Sequence, residues 1–333
     1  MKLNVLLAVA ALTGATALSA QTVQKLDDEK YALSVQNLSM TVDAAHGGKI
    51  LSFKLGEQEI LAQNPAAAPQ PAPAEGQPPR RRWINPNSYG STFWTSPQKE
   101  WNWPPVPEYD SLPYTAEVKD GPVKVADVTI PALFLEGQVS KYGYRICKTF
   151  TVDPSDLAFV VTYSIVNASE ETRKVAPWQI SRVPNGGFLE FDAKPEGVTP
   201  ADLMKVTFGD DKATLEVDVA DQNRKINVDG KGWLNFRDNG LVLTQRFPDI
   251  AQEDAARVKR KSRCTSTPAS PLSRSRPRAL TRSSSRARSS TGPSAGTLRP
   301  TNSAHFPEIR YLCIPDQFPK PCATTILKYG GRP

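Results

Sequence analysis

Three tryptophans, Trp94, Trp101 and Trp103, crowd the segment SYGSTFWTSPQKEWNWPPVPEYDSLPYT (88–115), together with Tyr89, Phe93, Tyr109 and Tyr114. Pro97, Pro104, Pro105, Pro107 and Pro113 exclude a helix interior or a central strand, so the segment reads as a rigid loop. An indole with one wet edge suits a sugar ring: the apolar C–H face of the sugar stacks on it, and nearby polar groups take the hydroxyls. Gln98, Lys99, Glu100 and Asn102 stand within the same stretch and could supply those groups. The plain alternative is that the rings plug one end of a β-structure. A loop on a rigid scaffold can serve both ends, with some rings buried and others presented.

A second candidate is VAPWQISRVPNGGFLEF (175–191). As a strand it gives Trp178, Ile180 and Phe188 to the core and turns Gln179, Ser181 and Arg182 the other way. A cleft-facing Arg182 would suit a sugar hydroxyl or a carboxylate, whereas a solvent-facing one carries no meaning. Glu190 shares that ambiguity. In DAAHGGKILSF (43–53), Gly47 and Gly48 fit a tight turn leading into a strand. His46 is the one histidine before the C-terminal tail. That excludes a histidine-cluster zinc site from the body, and no G-x-S-x-G supports a serine triad built on His46. His46 therefore reads as a turn residue. Carboxylates are plentiful (Glu100, Glu108, Asp110, Glu136, Glu190, Asp192), but spacing alone pairs no two of them for acid–base work. Nothing here calls for a metal or a cofactor.

These side chains hang on strands. KILSFKLG, VKVADVTI, YGYRICKTFTV, LAFVVTYSIV, KVTFGD, ATLEVDVA and GLVLTQRF are short, rich in β-branched or aromatic residues, and bounded by Gly, Asp, Asn or Pro. No helical apolar spacing follows residue 20, so the class is all-β, a sandwich or barrel over residues 21–254. One insertion, NPAAAPQPAPAEGQPPRRR (64–82), has six prolines and reads as an exposed Pro/Ala-rich loop. Residues 1–20 read as a signal peptide: a basic start at Lys2, an apolar run, and a small-residue site at Leu18-Ser19-Ala20. The expected setting is secreted or periplasmic, with no membrane contact after cleavage. Cys147 is the one cysteine of the body, so no internal disulfide is expected there.

The chain's formal charge is +7, yet residues 257–299 hold 12 Lys or Arg and no acid. Without them, 29 bases face 34 acids, a net of −5. The body is mildly acidic, and only the tail suggests a polyanion. The tail, residues 255–333, opens on RVKRKSRCTSTPASPLSRSRPRALTRSSSRARSS. A nucleic-acid-binding appendage, a disordered linker and an out-of-frame translation are the three readings. The third is favoured: the composition breaks abruptly at Ala255, and a shifted frame allows strand, turn and strand text in order. On that reading the domain lacks its closing strands, the tail is disordered, and no nucleic-acid partner is implied.

GGKILSFKLGEQEIL, STFWTSPQKEWNWPP and PWQISRVPNGG together resemble the bacterial domain-of-unknown-function family 4380, of the galactose-mutarotase-like superfamily. The resemblance covers roughly residues 31–250, with Trp94 to Pro105 its most specific part. It implies a β-supersandwich with a carbohydrate-binding cleft on one sheet. It carries over no catalytic residue, because His46 sits in the early glycine turn, where the histidine acid of aldose epimerases is not expected. The resulting expectation is a carbohydrate-binding protein whose ligand contacts are Trp94, Gln98, Lys99, Trp101, Trp103, Gln179 and Arg182. The alternatives are a sugar-active enzyme, epimerase-like or lyase-like, and a structural or interaction domain without a ligand. The oligomeric state is left open.

Overall fold

Residues alternate between buried and half-exposed over 30–35, 144–150 and 233–238, and that period of two builds two facing sheets. The computed structural model describes residues 23–27, 29–63, 89–217, 224–228 and 230–248, and five strand segments beyond residue 255. The expected signal peptide (1–20) and Pro/Ala-rich loop (64–82) lie outside the described residues. The strands are β1 Val23–Lys25, β2 Lys30–Val35, β3 Leu38–Asp43, β4 Lys49–Leu55, β5 Gln58–Glu59 and β6 Ser91–Ser96. A short helix, α1 (Pro107–Asp110), precedes β7 Thr115–Val125, β8 Val128–Glu136, β9 Tyr144–Asp153, β10 Ala158–Asn167, β11 Arg173–Asn185 and β12 Phe188–Phe191. Then come β13 Val198–Thr199, β14 Val206–Phe208, β15 Ala213–Glu216, β16 Arg224–Val228, β17 Trp233–Asp238 and β18 Leu241–Arg246. The tail adds β19 Ser262–Ser266, β20 Gly296–Leu298, β21 Ser303–His305, β22 Ile309–Pro315 and β23 Ala323–Gly330.

The first sheet runs β1-β2-β3-β4-β6-β11-β23-β19-β16-β13, with β5 on β4 and β20 on β11. The second runs β14-β15-β12-β17-β18-β22-β10-β9-β8-β7, with β21 on β10. The expected all-β supersandwich is the fold observed. Its core lies between the sheets: Phe53 meets Phe159 edge-on at 5.3 Å, and Phe93 stacks on Tyr163 at 4.1 Å. A polar chain crosses the same space. Gln179 Nε2 donates to Ser91 Oγ (2.6 Å) and Ser181 Oγ (2.7 Å), and Gln245 Nε2 of the second sheet donates to Ser181 Oγ (2.6 Å).

Residues 255–333 read as disordered and as leaving the domain without closing strands; five segments among them are described, and β19 to β23 occupy sheet positions. β23 pairs with β11 on one side and β19 on the other, and β22 bridges β18 and β10. The physical reason is local. IRYLCIP and ATTILKYG are rich in β-branched and aromatic residues that the surrounding Arg/Ser/Pro composition masks. The remainder of the tail lies outside the described residues. Among the described residues no helix is long and apolar enough to cross a membrane.

Candidate functional site

β6 and β11 lie side by side with Trp94 opposite Trp178 and Thr92 opposite Ile180. Phe93, Gln179 and Ser181 point into the inter-sheet core, so by alternation Thr92, Trp94, Trp178, Ile180 and Arg182 share the outer face of the first sheet. Segment 97–114 folds over this face, and its α1 delivers Asp110. Asp110 Oδ1 accepts from Thr92 Oγ1 and from Trp94 Nε1, both at 2.8 Å. Oδ2 faces Lys49 Nζ at 3.7 Å, an ion pair without a hydrogen bond. Both side chains are 3% exposed.

Lys49 opens β4 directly across from Asp43, the last residue of β3. Its ammonium lies 4.7 Å from the Tyr89 ring centre. Arg182 is buried with its guanidinium 5.8 Å from the Trp94 ring; Nη1 donates to Tyr89 O at 3.3 Å, and Nε has no partner. Burial pushes the Arg182 guanidinium down to about 10, against the pull of Asp110. Burial likewise lowers Lys49, with Asp110 opposing and the Arg182 charge adding to the fall. Burial and the charges of Asp43 and Asp110 raise the half-buried Tyr89 phenol.

The turn between β3 and β4 holds the site from beneath. Asp43 Oδ1 accepts the backbone N–H of Ala45 (3.0 Å) and His46 (3.2 Å), and Oδ2 pairs with His46 Nδ1 at 2.9 Å. The His46 side chain is 67% exposed. Gly47 has φ +73°, and a Cβ there would sit 2.3 Å from the Asp110 carbonyl carbon, so only glycine lets the turn pack on α1. Lys148 of β9 rises through the core and donates its ammonium to Gly47 O (2.6 Å) and Gly48 O (3.1 Å). Burial pushes Lys148 down to about 7, with Asp110 opposing and Lys49 adding to the fall.

The residues expected to contact ligand separate into three groups. Trp94 and Trp101 are buried and meet at 5.7 Å, 80° between planes; Trp178 completes the cluster at 5.4 Å from Trp94. Trp101 Nε1 donates to Thr95 O at 3.1 Å. Trp103 is 50% exposed and sits edge-on to Trp94 at 6.2 Å. Gln98 and Lys99 lie on a 3₁₀ turn, Gln98–Glu100, with Lys99 exposed and Gln98 Nε2 donating to Asn102 O at 3.4 Å. Arg182 belongs to the outer-face cluster, whereas Gln179 is in the core between the sheets. The two differ by an odd number of residues on one strand, so they cannot share a face. Sequence reading did not single out Lys49 or Lys148, and took Tyr89 only as one of the aromatics of its segment. Lys148 did leave a signal: it occupies a core-facing place in Tyr144, Ile146, Lys148, Phe150, Val152, where a charge needs a reason.

No family model and no curated protein matches the chain. Among solved structures, a galactose mutarotase related enzyme from Lactobacillus acidophilus aligns over 88% of this chain and 100% of its own, at 9% identity and a TM-score of 0.47. A putative aldose 1-epimerase from Escherichia coli K12 aligns over 91% and 99%, at 11% identity and a TM-score of 0.42. A TPR-domain containing protein from Parabacteroides distasonis aligns over 91% of this chain at 10% identity and a TM-score of 0.43, and the chain spans 47% of that protein.

Proposed function

We propose that this chain is an exported carbohydrate-binding protein that takes its sugar at the outer face of the first sheet, beside segment 97–114. One observation carries the reading. Trp103, half-exposed, leans on the buried Trp94, whose indole N–H bonds Asp110 and whose ring adjoins the Arg182 guanidinium. An accessible aromatic face thus adjoins fixed polar groups within one residue's reach, which is the division of labour a sugar ring needs. Trp94, itself packed against Trp101 and Trp178, holds Trp103 in place from below. Lys99 and Gln98, on the adjoining turn, would take peripheral hydroxyls. Export rests on the signal-like residues 1–20.

Tryptophan fluorescence titrated with mono- and oligosaccharides, repeated on W103A, tests it. The expected result is a saturable response to at least one sugar and a loss of roughly tenfold in affinity in W103A, about the worth of one stacked ring. Silence across the whole panel, or undiminished binding by W103A, would overturn it.

The Asp43–His46 pair favours a second reading, a sugar-active enzyme. Asp43 holds Nδ1 of His46, which leaves Nε2 at an exposed edge as a proton acceptor, on the turn that packs against Asp110. Polarimetry on reducing sugars, and ultraviolet absorbance for an unsaturated product from uronides, would detect it. Turnover abolished by H46Q would move the assignment from binding to catalysis.

A further inference from the structure

Two buried cations, Lys49 and Arg182, crowd Asp110 on the outer face of the first sheet, and neither is hydrogen-bonded to it. Asp110 has Oδ1 filled by Thr92 and Trp94, while its Oδ2 stands 3.7 Å from Lys49 Nζ, too far for a hydrogen bond. Arg182 forms no ion pair within bonding distance among the described residues. Of its five N–H donors, one reaches Tyr89 O at 3.3 Å and Nε reaches nothing. Asp43, across from Lys49, is engaged by two backbone amides of its own turn and by His46. Lys148 faces the core and is answered by the two glycine carbonyls.

A guanidinium withdrawn from water with open donors is costly unless an acceptor fills them, and its fork fits a planar oxyanion in two contacts. Asp110 and Asp43 both act on Lys49, but no carboxylate bonds the Arg182 guanidinium, whose open donors are what an anion would fill. Tyr89, partly exposed, borders both cations, its ring by Lys49 and its carbonyl by Arg182. We propose that the bound sugar carries one negative group, the carboxylate of a uronic acid or a sulfate ester, received by Arg182 and Lys49. This inference rests on the carbohydrate reading and adds to it the class of sugar.

The experiment is calorimetric titration of the full chain with matched ligands: a neutral methyl hexoside, the corresponding methyl uronide, and the corresponding 6-sulfate, in the gluco and galacto series. In at least one series an acidic member should bind about tenfold or more tighter than its neutral partner, the worth of one charge-assisted hydrogen bond or more. A preference between uronide and sulfate identifies which anion the site takes, and either preference supports the proposal. In K49M the acid-over-neutral ratio should fall toward one; the wild-type panel decides the matter even if that variant folds poorly. Neutral hexosides binding as tightly as both acids would overturn the inference while leaving carbohydrate binding intact. No binding of any member would remove the reading on which it rests.

Discussion

Two outer faces of this sandwich carry a carboxylate among cations, and they treat it in opposite ways. On the second sheet, Glu190 of β12 pairs with Lys212, and with Arg237 Nη2 and Asn235 Nδ2 at 3.4 Å each. There Lys212 and Arg237 are 44% and 34% exposed, so water shares the work of solvating them. Burial pushes the Glu190 carboxyl up, but Lys212, Arg237 and Asn235 outweigh it and hold it below the ordinary glutamate value. On the first sheet the cations around Asp110 are themselves buried, and their own ionisation is what shifts. The difference teaches that burial of the partner, not the residue types, separates a surface ion pair from an electrostatically loaded site.

The sharpest way to break this contrast is D110N. It removes the carboxylate that acts most strongly on the buried Lys49 and Arg182 and should cost roughly 3–5 kcal/mol in chemical denaturation. A loss under about 1 kcal/mol would mean that these cations are screened as well as Lys212 and Arg237. G47A attacks the support beneath Asp110. With φ +73° and a Cβ driven against the Asp110 backbone, it should cost roughly 2–3 kcal/mol, read as a lowered melting temperature.

The third effect depends on pH. Burial holds Lys148 down to about 7 in the fold, against its ordinary 10.5, so between those values the unfolded chain holds the extra proton. Stability should therefore rise as pH increases from about 7 toward 9, by up to about 2 kcal/mol, and K148M should flatten the rise. Melting curves at both pH values check it; an equal rise in K148M would place its source elsewhere. The smallest effect belongs to the second face: E190Q should cost about 1 kcal/mol or less by denaturation, since its cationic partners remain partly hydrated.

The fold class was legible because half-buried strands alternate, as β2 does over its whole length and β9 from Tyr144 to Phe150. The tryptophan segment was legible as a rigid, aromatic loop, but not which rings it hides. Trp101 is buried and Trp103 exposed because the chain turns at Asn102, with φ +59°, a left-handed conformation that asparagine tolerates better than most residues but does not impose. Arg182 stood out by its neighbours, while its grouping with Gln179 overlooked strand parity. Lys49 acquires meaning only from Asp110, sixty-one residues later in the chain, and long-range pairs of that kind leave no local pattern. The β-strands of the tail were obscured by averaging: five short segments vanish in a composition dominated by Arg, Ser and Pro.

The position of β22 and β23 has a consequence for how the chain is born. Both strands come from the last twenty-five residues, yet each sits inside a sheet between partners made far earlier; β23 Ile326 pairs with Arg182, and β22 Tyr311 with Phe159. Neither sheet can close while the ribosome is still synthesising them. The nascent body must wait with β10, β11 and β18 unpaired on one side, so its vulnerable interval is set by translation, and a holdase chaperone would have open strand edges to grip.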